Sequence, residues 1–215
     1  MPHVLNEGDN AQPLDIIGAT ATDKVVIIMV GLPATGKTHT AKRIQRFLDF
    51  FHDIPCSIFN VGEYRRDLIG AQMPASFYDA SNIEAAKQRQ VACDAALNDL
   101  VEYIKVPGVR VGILDATNST RERRKYIKEV LINSNTGVKV MSIESVCNDA
   151  ELLAENIRTV KLNTPDYKGT DPEEAVKDFN QRRENYKKTY EGLTDAEGSY
   201  VVIHDCKKFV INRIR

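Results

Sequence analysis

The chain has no tryptophan, no C-x-x-C pair, no surplus of either charge and no long apolar run. Each absence excludes something. No apolar stretch approaches the ~18 residues that a membrane-spanning helix needs. The amino end shows no basic segment followed by an apolar one, so no secretory leader is read there. A cytoplasmic protein with no membrane partner is the expectation. The four cysteines, Cys56, Cys93, Cys147 and Cys206, are scattered, without metal-ligand or redox spacing. Reduced thiols are the simplest reading. With 29 basic and 30 acidic side chains the formal net charge is −1, which speaks against a general nucleic-acid binder. The lack of tryptophan removes the strongest stacking platform for bases. No repeat and no low-complexity linker divides the 215 residues. They read as one α/β domain over residues 23–215, large enough for a sizeable core, behind a polar extension over residues 1–22.

What is present begins with Gly31-Leu-Pro-Ala-Thr-Gly-Lys37-Thr38. It follows the apolar run Val25–Val30 and precedes an amphipathic run, Lys37–Phe51. That is G-x-x-x-x-G-K-T between a strand and a helix, the setting of a phosphate-binding loop. Glycines permit positive φ and close backbone approach. Successive N–H groups and the helix N-terminus then face an anion. Lys37 would reach the β- and γ-phosphates, and the Thr38 hydroxyl would ligate Mg²⁺. Further strands are predicted at Cys56–Asn60, Val109–Asp115, Val138–Ser145 and Tyr200–Asp205, with an edge strand at Phe209–Ile214. Helices are predicted at Gly62–Gly70, Ile83–Lys105, Thr120–Asn133, Asp149–Val160 and Pro172–Tyr190. Apolar runs alternating with helices predict a parallel sheet covered on both faces. Thr120 and Asp171-Pro172 read as helix starts. The irregular stretch Ala71–Asn82 is long enough to be a functional loop such as a lid.

Val111-Gly-Ile-Leu-Asp115 is an apolar strand ending in a carboxylate. Asp115 at the carboxyl edge of a neighbouring strand would face the phosphate loop. By itself it reads equally as a turn-initiating Asp. The next residues, Ala116-Thr-Asn-Ser-Thr-Arg-Glu-Arg-Arg124, add hydroxyls, an amide and three arginines, a set suited to phosphate. At least one of those arginines is expected simply to face solvent.

These residues, with Phe59-Asn-Val-Gly-Glu-Tyr-Arg-Arg66, Ile143-Glu-Ser-Val-Cys-Asn-Asp149, Asn156-Ile-Arg-Thr-Val-Lys161, Thr164-Pro-Asp-Tyr167 and Ile211-Asn-Arg-Ile214, occur in an order that resembles a known family. The chain resembles the kinase domain of 6-phosphofructo-2-kinase/fructose-2,6-bisphosphatase from about Lys24 onward. The phosphate loop is generic and Asp-Ala-Thr-Asn also resembles other kinases, whereas Asn60–Arg66 and Glu144–Asp149 are far more specific. The resemblance implies a P-loop NTPase-type three-layer α/β sandwich with a mainly parallel central sheet. It implies transfer of the ATP γ-phosphoryl, with Mg²⁺, to the 2-hydroxyl of fructose 6-phosphate. By the family pattern, Gly31, Leu32, Pro33, Ala34, Thr35, Gly36, Lys37, Thr38 and His39 would cradle ATP. Asn156, Ile157, Arg158, Thr159, Val160 and Lys161 would contact it from the other side. Arg65, Arg89, Thr117, Arg123, Lys161, Arg182 and Tyr186 match sugar-phosphate ligands. Asp115 and Cys147 match residues marked as catalytic, joined by Lys37 and Lys161, with Thr38 and Asp115 at the metal.

Without the resemblance, Arg89 would read as solvent-facing, Arg182 and Tyr186 as a surface pair one helical turn apart, and Cys147 as a small buried hydrophobe. The chain also departs from the family. Phe77-Tyr-Asp-Ala-Ser-Asn82 stands where members often carry Phe-Phe-Arg-Pro-Asp-Asn, and Thr35 where they often have Arg. None of His3, His39, His52 and His204 stands in the Arg-His-Gly triplet of the family's phosphatase domain. The chain as given is therefore expected to lack 2-phosphatase chemistry. Two other functions compete: a polynucleotide 5′-hydroxyl kinase, and a nucleotide-binding module without turnover. The sequence leaves the oligomeric state open, a homodimer included.

Overall fold

In a computed structural model that describes residues 23–161, 163–205 and 208–212, six strands form a single sheet. The elements run β1 (Val25–Val30), α1 (Lys37–His52), β2 (Cys56–Asn60), α2 (Val61–Ile69), α3 (Ile83–Lys105), β3 (Val111–Asp115), α4 (Arg121–Asn133), β4 (Lys139–Val146), α5 (Ala150–Asn156), α6 (Pro172–Lys187), β5 (Tyr200–His204) and β6 (Lys208–Asn212). The spatial order is β2-β3-β1-β4-β5-β6. The first five strands are parallel, and β6 closes the edge antiparallel to β5. The expected mainly parallel α/β sheet is what forms. The residue 1–22 extension lies outside the described residues. No helix among the described residues is long and apolar enough to cross a membrane.

The unbroken apolar character of β1 has a direct cause. Val26, Ile28 and Val30 pack to one side with Leu114 and the buried faces of α3 and α4, including Leu97, Leu100, Ile104, Ile127 and Leu131. Val25, Ile27 and Met29 pack to the other with Val111, Ile113, Ile143 and α1 residues Ala41, Ile44 and Leu48. Successive strand side chains alternate faces, so a strand covered twice must be apolar at every position. Two layers of helix around one sheet give the three-layer sandwich. At Gly112 an added Cβ would already touch Ile104 and Leu100 at 3.4–3.5 Å, so the α3 packing leaves little room there.

Several boundaries differ from the sequence reading, for local reasons. The helix expected over Asp149–Val160 is α5 followed by a π-helical turn, Ile157–Lys161. Its N-cap is Asp149, whose side chain accepts from the Glu151 and Leu152 amides. Helix α6 stops at Lys187, not Tyr190, because Tyr190 turns inward to donate its hydroxyl to Glu144. Thr120 and Asp171 do cap α4 and α6. The loop Ala71–Asn82 contains a 3₁₀ turn, Ala75–Tyr78, with Phe77 and Tyr78 buried. Asp178 accepts from the Ala75 amide and Asn185 donates to its carbonyl, each at 2.9 Å. This segment is therefore a wall packed on α6.

Candidate active site

The phosphate loop turns on two glycines. Gly31 has φ +141°, and an added Cβ would stand 2.4 Å from the Ser145 backbone oxygen, so only glycine fits where the loop crosses the end of β4. Gly36 has φ +97° and precedes α1 in the left-handed region. Between them Thr35 is buried, its hydroxyl on the Leu32 carbonyl at 2.9 Å and its carbonyl accepting from the Ser145 hydroxyl. Threonine at this position thus ties the loop to itself and to β4. Lys37 is also buried, donating from Nζ to the Leu32 carbonyl at 2.6 Å. The Asn156 amide reaches across from α5 to the Ala34 carbonyl at 3.1 Å.

Asp115 ends β3, the neighbour of β1, and lies in register with Asn60 at the end of β2. It is only 2% exposed. Its Oδ2 accepts from the Thr38 hydroxyl at 2.7 Å and from Asn60 Nδ2 at 2.6 Å. The strand that follows the loop's strand in space thus aims its carboxylate at the loop's threonine. Asn118, also buried, donates to the Met29 carbonyl at 2.7 Å and fixes the chain after β3 against β1.

These groups open on a cleft of about 1150 Å³. Pro33, Ala34, Gly36, Lys37, Thr38 and His39 line one end, with Asn156. Arg65, Arg89, Thr117, Arg123, Arg182 and Tyr186 line it too, with Asp115 between. Arg89 is half-buried on α3 and donates to the Phe77 carbonyl, and Arg123 donates to Gln90. Burial, then the nearby Arg123 charge, pushes the Arg89 guanidinium below its ordinary pKa, outweighing the opposing influence of Tyr186 and Tyr78. Arg182 stacks 3.8 Å above the Tyr78 ring, and the Tyr186 ring is 5.8 Å from that of Tyr78. The solvent-facing readings of Arg89 and of the Arg182–Tyr186 pair therefore do not hold.

Some expected residues sit elsewhere. Gly31, Leu32 and Thr35 shape the loop from beneath and are not part of the cleft wall. Ile157 is buried against Ala34, Tyr167 and Phe179. Arg158 lines a separate cavity of about 1010 Å³ with Lys168, and the exposed Thr159 bonds back to the Glu155 carbonyl at 2.7 Å. The side chains of Val160 and Lys161 lie outside the described residues. Cys147, which the resemblance marks as catalytic, lies outside the cleft lining. It is buried just past β4, with Sγ 3.6 Å from the Asp149 carbonyl. That position braces the start of α5. Among the three arginines near Asp115, Arg121 is exposed, Arg123 faces the cleft, and Arg124 is wholly buried. Arg124 pairs with both Glu197 oxygens, at 2.6 and 2.8 Å, and donates to the Asn118 and Glu191 carbonyls.

Two site residues carried no functional reading in the sequence. Asn60 holds Asp115 and also caps α2, accepting from the Glu63 amide at 3.1 Å. Its position at a strand end, three residues before an acid, is a capping pattern that could have singled it out. Asp166 accepts from Arg65 Nη2 at 2.7 and 2.8 Å and lies 3.4 Å from Arg66 Nη1 and 3.5 Å from Arg182 Nη1. Burial by itself would raise the Asp166 carboxyl. The Arg65 hydrogen bond and the charges of Arg65, Arg182 and Arg66 outweigh it and hold the carboxyl below the usual carboxylate range. The segment Thr164-Pro-Asp-Tyr167 marks Asp166 only through the family resemblance, because its partners lie about a hundred residues away on α2 and on α6.

The family model described as 6-phosphofructo-2-kinase matches residues 14–215. The 6-phosphofructo-2-kinase/fructose-2,6-bisphosphatase 4 of Rattus norvegicus is 41% identical over 193 residues, 88% of this chain and 40% of the relative. The 6-phosphofructo-2-kinase/fructose-2,6-bisphosphatase of Gallus gallus is 41% identical over 194 residues, 88% of this chain and 41% of that protein. The chain thus spans about two-fifths of the length of these relatives. Among solved structures, a candidate kinase of Chloroflexus aurantiacus aligns with TM-score 0.52 at 14% identity, over 84% of this chain and 88% of that one. Kti12 of Chaetomium thermophilum, solved with ADP-AlF3, aligns with TM-score 0.51 at 19% identity, over 80% and 82%. These two likenesses concern the fold. The family match and the identity over most of the chain go further: this chain belongs to the 6-phosphofructo-2-kinase family.

Proposed function

We propose that the chain transfers the γ-phosphoryl group of ATP to the 2-hydroxyl of fructose 6-phosphate, giving fructose 2,6-bisphosphate. The observation that carries this reading is the single cleft in which the phosphate loop, Asp115 and a ring of arginines face one another. Two polyanions must meet there, and fixed cations offset their repulsion. The loop amides and the α1 N-terminus bind the triphosphate, and Lys37 swings from the Leu32 carbonyl to its outer phosphates. Thr38 and Asp115 offer a hydroxyl and a carboxylate whose oxygens lie 2.7 Å apart. Hard oxygen donors of this kind suit Mg²⁺, which commonly keeps one or two protein ligands alongside phosphate oxygens and water. When bound, the ion neutralises charge on the phosphates.

Arg65, Arg89, Arg123 and Arg182 hold the 6-phosphate, which brings the 2-hydroxyl towards Asp115. Asp115 accepts its hydrogen bond and orients it for in-line attack. A loose transition state asks for little proton removal, so orientation is the larger part of its contribution. Lys161 bridges the two substrates in the family pattern and stabilises the transferring group. The family relationship and the part-buried Asp115–Thr38 contact support these roles.

The test is an ATP turnover assay with and without fructose 6-phosphate, with the linkage of the product identified by phosphorus NMR. Turnover should require both substrates and place phosphate at the 2-position. A folded Lys37→Ala variant should lose about 100- to 1000-fold in rate, the scale of removing one preorganised donor to a developing charge. Turnover indifferent to the sugar, or phosphate on another hydroxyl, would sink the proposal.

A further inference from the structure

Three arginines of the cleft converge on Asp166, a residue with no part in the chemistry above. Arg65 and Arg66 come from α2 and Arg182 from α6, while Asp166 sits on a short 3₁₀ turn, Pro165–Tyr167. Arg65 is 4% exposed, and Arg66, Asp166 and Arg182 are 21%, 8% and 18% exposed. All four line the cleft. Arg65 is tied further to the Gly70 carbonyl at 2.7 Å, and Arg182 lies on the Tyr78 ring. The head groups are thus fixed before any ligand arrives.

A guanidinium has five N–H donors. Arg65 engages Asp166 through Nη2, and Arg66 and Arg182 approach it through one nitrogen at longer range. Two polar groups beside this cluster have no hydrogen-bond partner among the described residues: Arg182 Nε and the hydroxyl of Tyr78, a residue 4% exposed. Three guanidiniums gathered without an anion would repel and spread into solvent. One carboxylate among them leaves two positive charges, the complement of a phosphate monoester dianion.

We propose that Asp166 is a positioning residue that gathers Arg65, Arg66 and Arg182 into one receptor for the phosphate monoester of the acceptor substrate. The inference rests on the kinase reading above for the identity of that substrate, fructose 6-phosphate. It adds Arg66 and Asp166 to the binding machinery.

Asp166→Asn keeps the shape and removes the charge that holds the cluster. In steady-state kinetics its KM for fructose 6-phosphate should rise about 10- to 100-fold, while kcat and the KM for ATP stay within about threefold. Asp166→Glu should recover most of the loss, which a purely steric role would not allow. An unchanged KM in folded Asp166→Asn would overturn the proposal. So would a lower KM, which would make Asp166 a competitor of the phosphate. An equal rise for both substrates would reduce it to a structural clamp. If Asp166→Asn does not fold, Arg66→Gln carries the test: a rise of about fivefold or more in the sugar KM alone is expected, and no rise overturns the receptor. A second readout is independent of turnover. With ADP saturating the phosphate loop, inorganic phosphate should raise the melting temperature of the wild-type chain and not that of Asp166→Asn. Failure of wild-type turnover together with an Asp166-dependent phosphate shift would reject the sugar kinase and keep the receptor. A phosphate shift indifferent to Asp166 would reject the receptor whatever the turnover.

Discussion

Asp115 answers to two donors at once, the hydroxyl of Thr38 and the amide of Asn60. A carboxylate so held is oriented beside the hydroxyl of the phosphate loop's Thr38. Asp115→Asn keeps the size of the side chain and removes that charge. Its effect should fall on kcat, by about 100- to 1000-fold, with either KM within a few-fold, because the interaction strengthens as the hydroxyl attacks. Initial-rate measurements over both substrates check this, and a preserved kcat with a raised KM would make Asp115 a binding group only. The same scale shows how little residue type alone decides. Arg123 and Arg124 are adjacent in sequence, yet one faces the cleft and the other is sealed against Glu197. Helical geometry turns neighbouring side chains by about 100°, so the sealed one is sorted from the open one only by what packs on α4.

At the scale of elements, the end of β2 performs two tasks through one side chain. Asn60 caps α2 with its carbonyl oxygen and orients Asp115 with its amide nitrogen. The tasks separate by substitution. Asn60→Ala should lose about 1 kcal/mol of stability and lower kcat as well. Asn60→Ser keeps a capping oxygen but is too short to span to Asp115. It should unfold in urea near the wild-type midpoint and still lower kcat. Equal kcat in Asn60→Ser and wild type would show that Thr38 orients Asp115 without help. The elements themselves were largely legible. β1 is set by an unbroken apolar run, β3 by a shorter one ending in Asp115, and α3 by apolar residues recurring at helical spacing, while Thr120 and Asp171 announced their helices. The end of α6 and the π-helical turn after α5 were not legible. Each depends on a distant contact, Tyr190 with Glu144 in one case and Asn156 with Ala34 in the other.

At the scale of the whole molecule, two part-buried carboxylates join distant segments through arginine. Glu197 holds Arg124 of α4 just ahead of β5, and Asp166 holds α2 and α6 together. For Glu197, burial works to raise the pKa, but the Arg124 hydrogen bond and the charges of Arg124 and Lys128 leave it below its ordinary value of 4.5. A carboxyl depressed in the native state stabilises fully above its unfolded pKa, and that contribution fades as pH falls through the native pKa. Stability should therefore drop as pH falls below about 4.5 from this pair, and further below about 3.8 as Asp166 follows. Glu197→Gln should be less stable by about 3–5 kcal/mol at neutral pH, since it leaves the buried Arg124 charge without its carboxylate. It should also lose less on acidification than wild type does. Urea midpoints from neutral pH to about pH 3 measure both effects, and parallel curves for the two proteins would count against the pair as an acid-sensitive contact.

The sequence by itself determined the strand–loop–helix at Gly31–Thr38, the parallel sheet and the family, because these are written in contiguous residues: apolar runs, glycines at fixed intervals and short motifs in order. Asp115, Arg65 and Arg123 stand in such motifs and Arg182 was named only by the family resemblance; the fold brings all four to one cleft. Only the tertiary structure decided what each would touch. It buried Arg124 against Glu197, buried Cys147 just past β4, and packed Ala75–Tyr78 as a wall on α6. It also brought Asp166 to three arginines that share no local pattern with it. The physical reason is range. Backbone conformation and alternation of polarity are governed by neighbours within a few residues. A buried charge finds its partner across the whole chain, and that pairing exists only once the two cores have closed around the sheet.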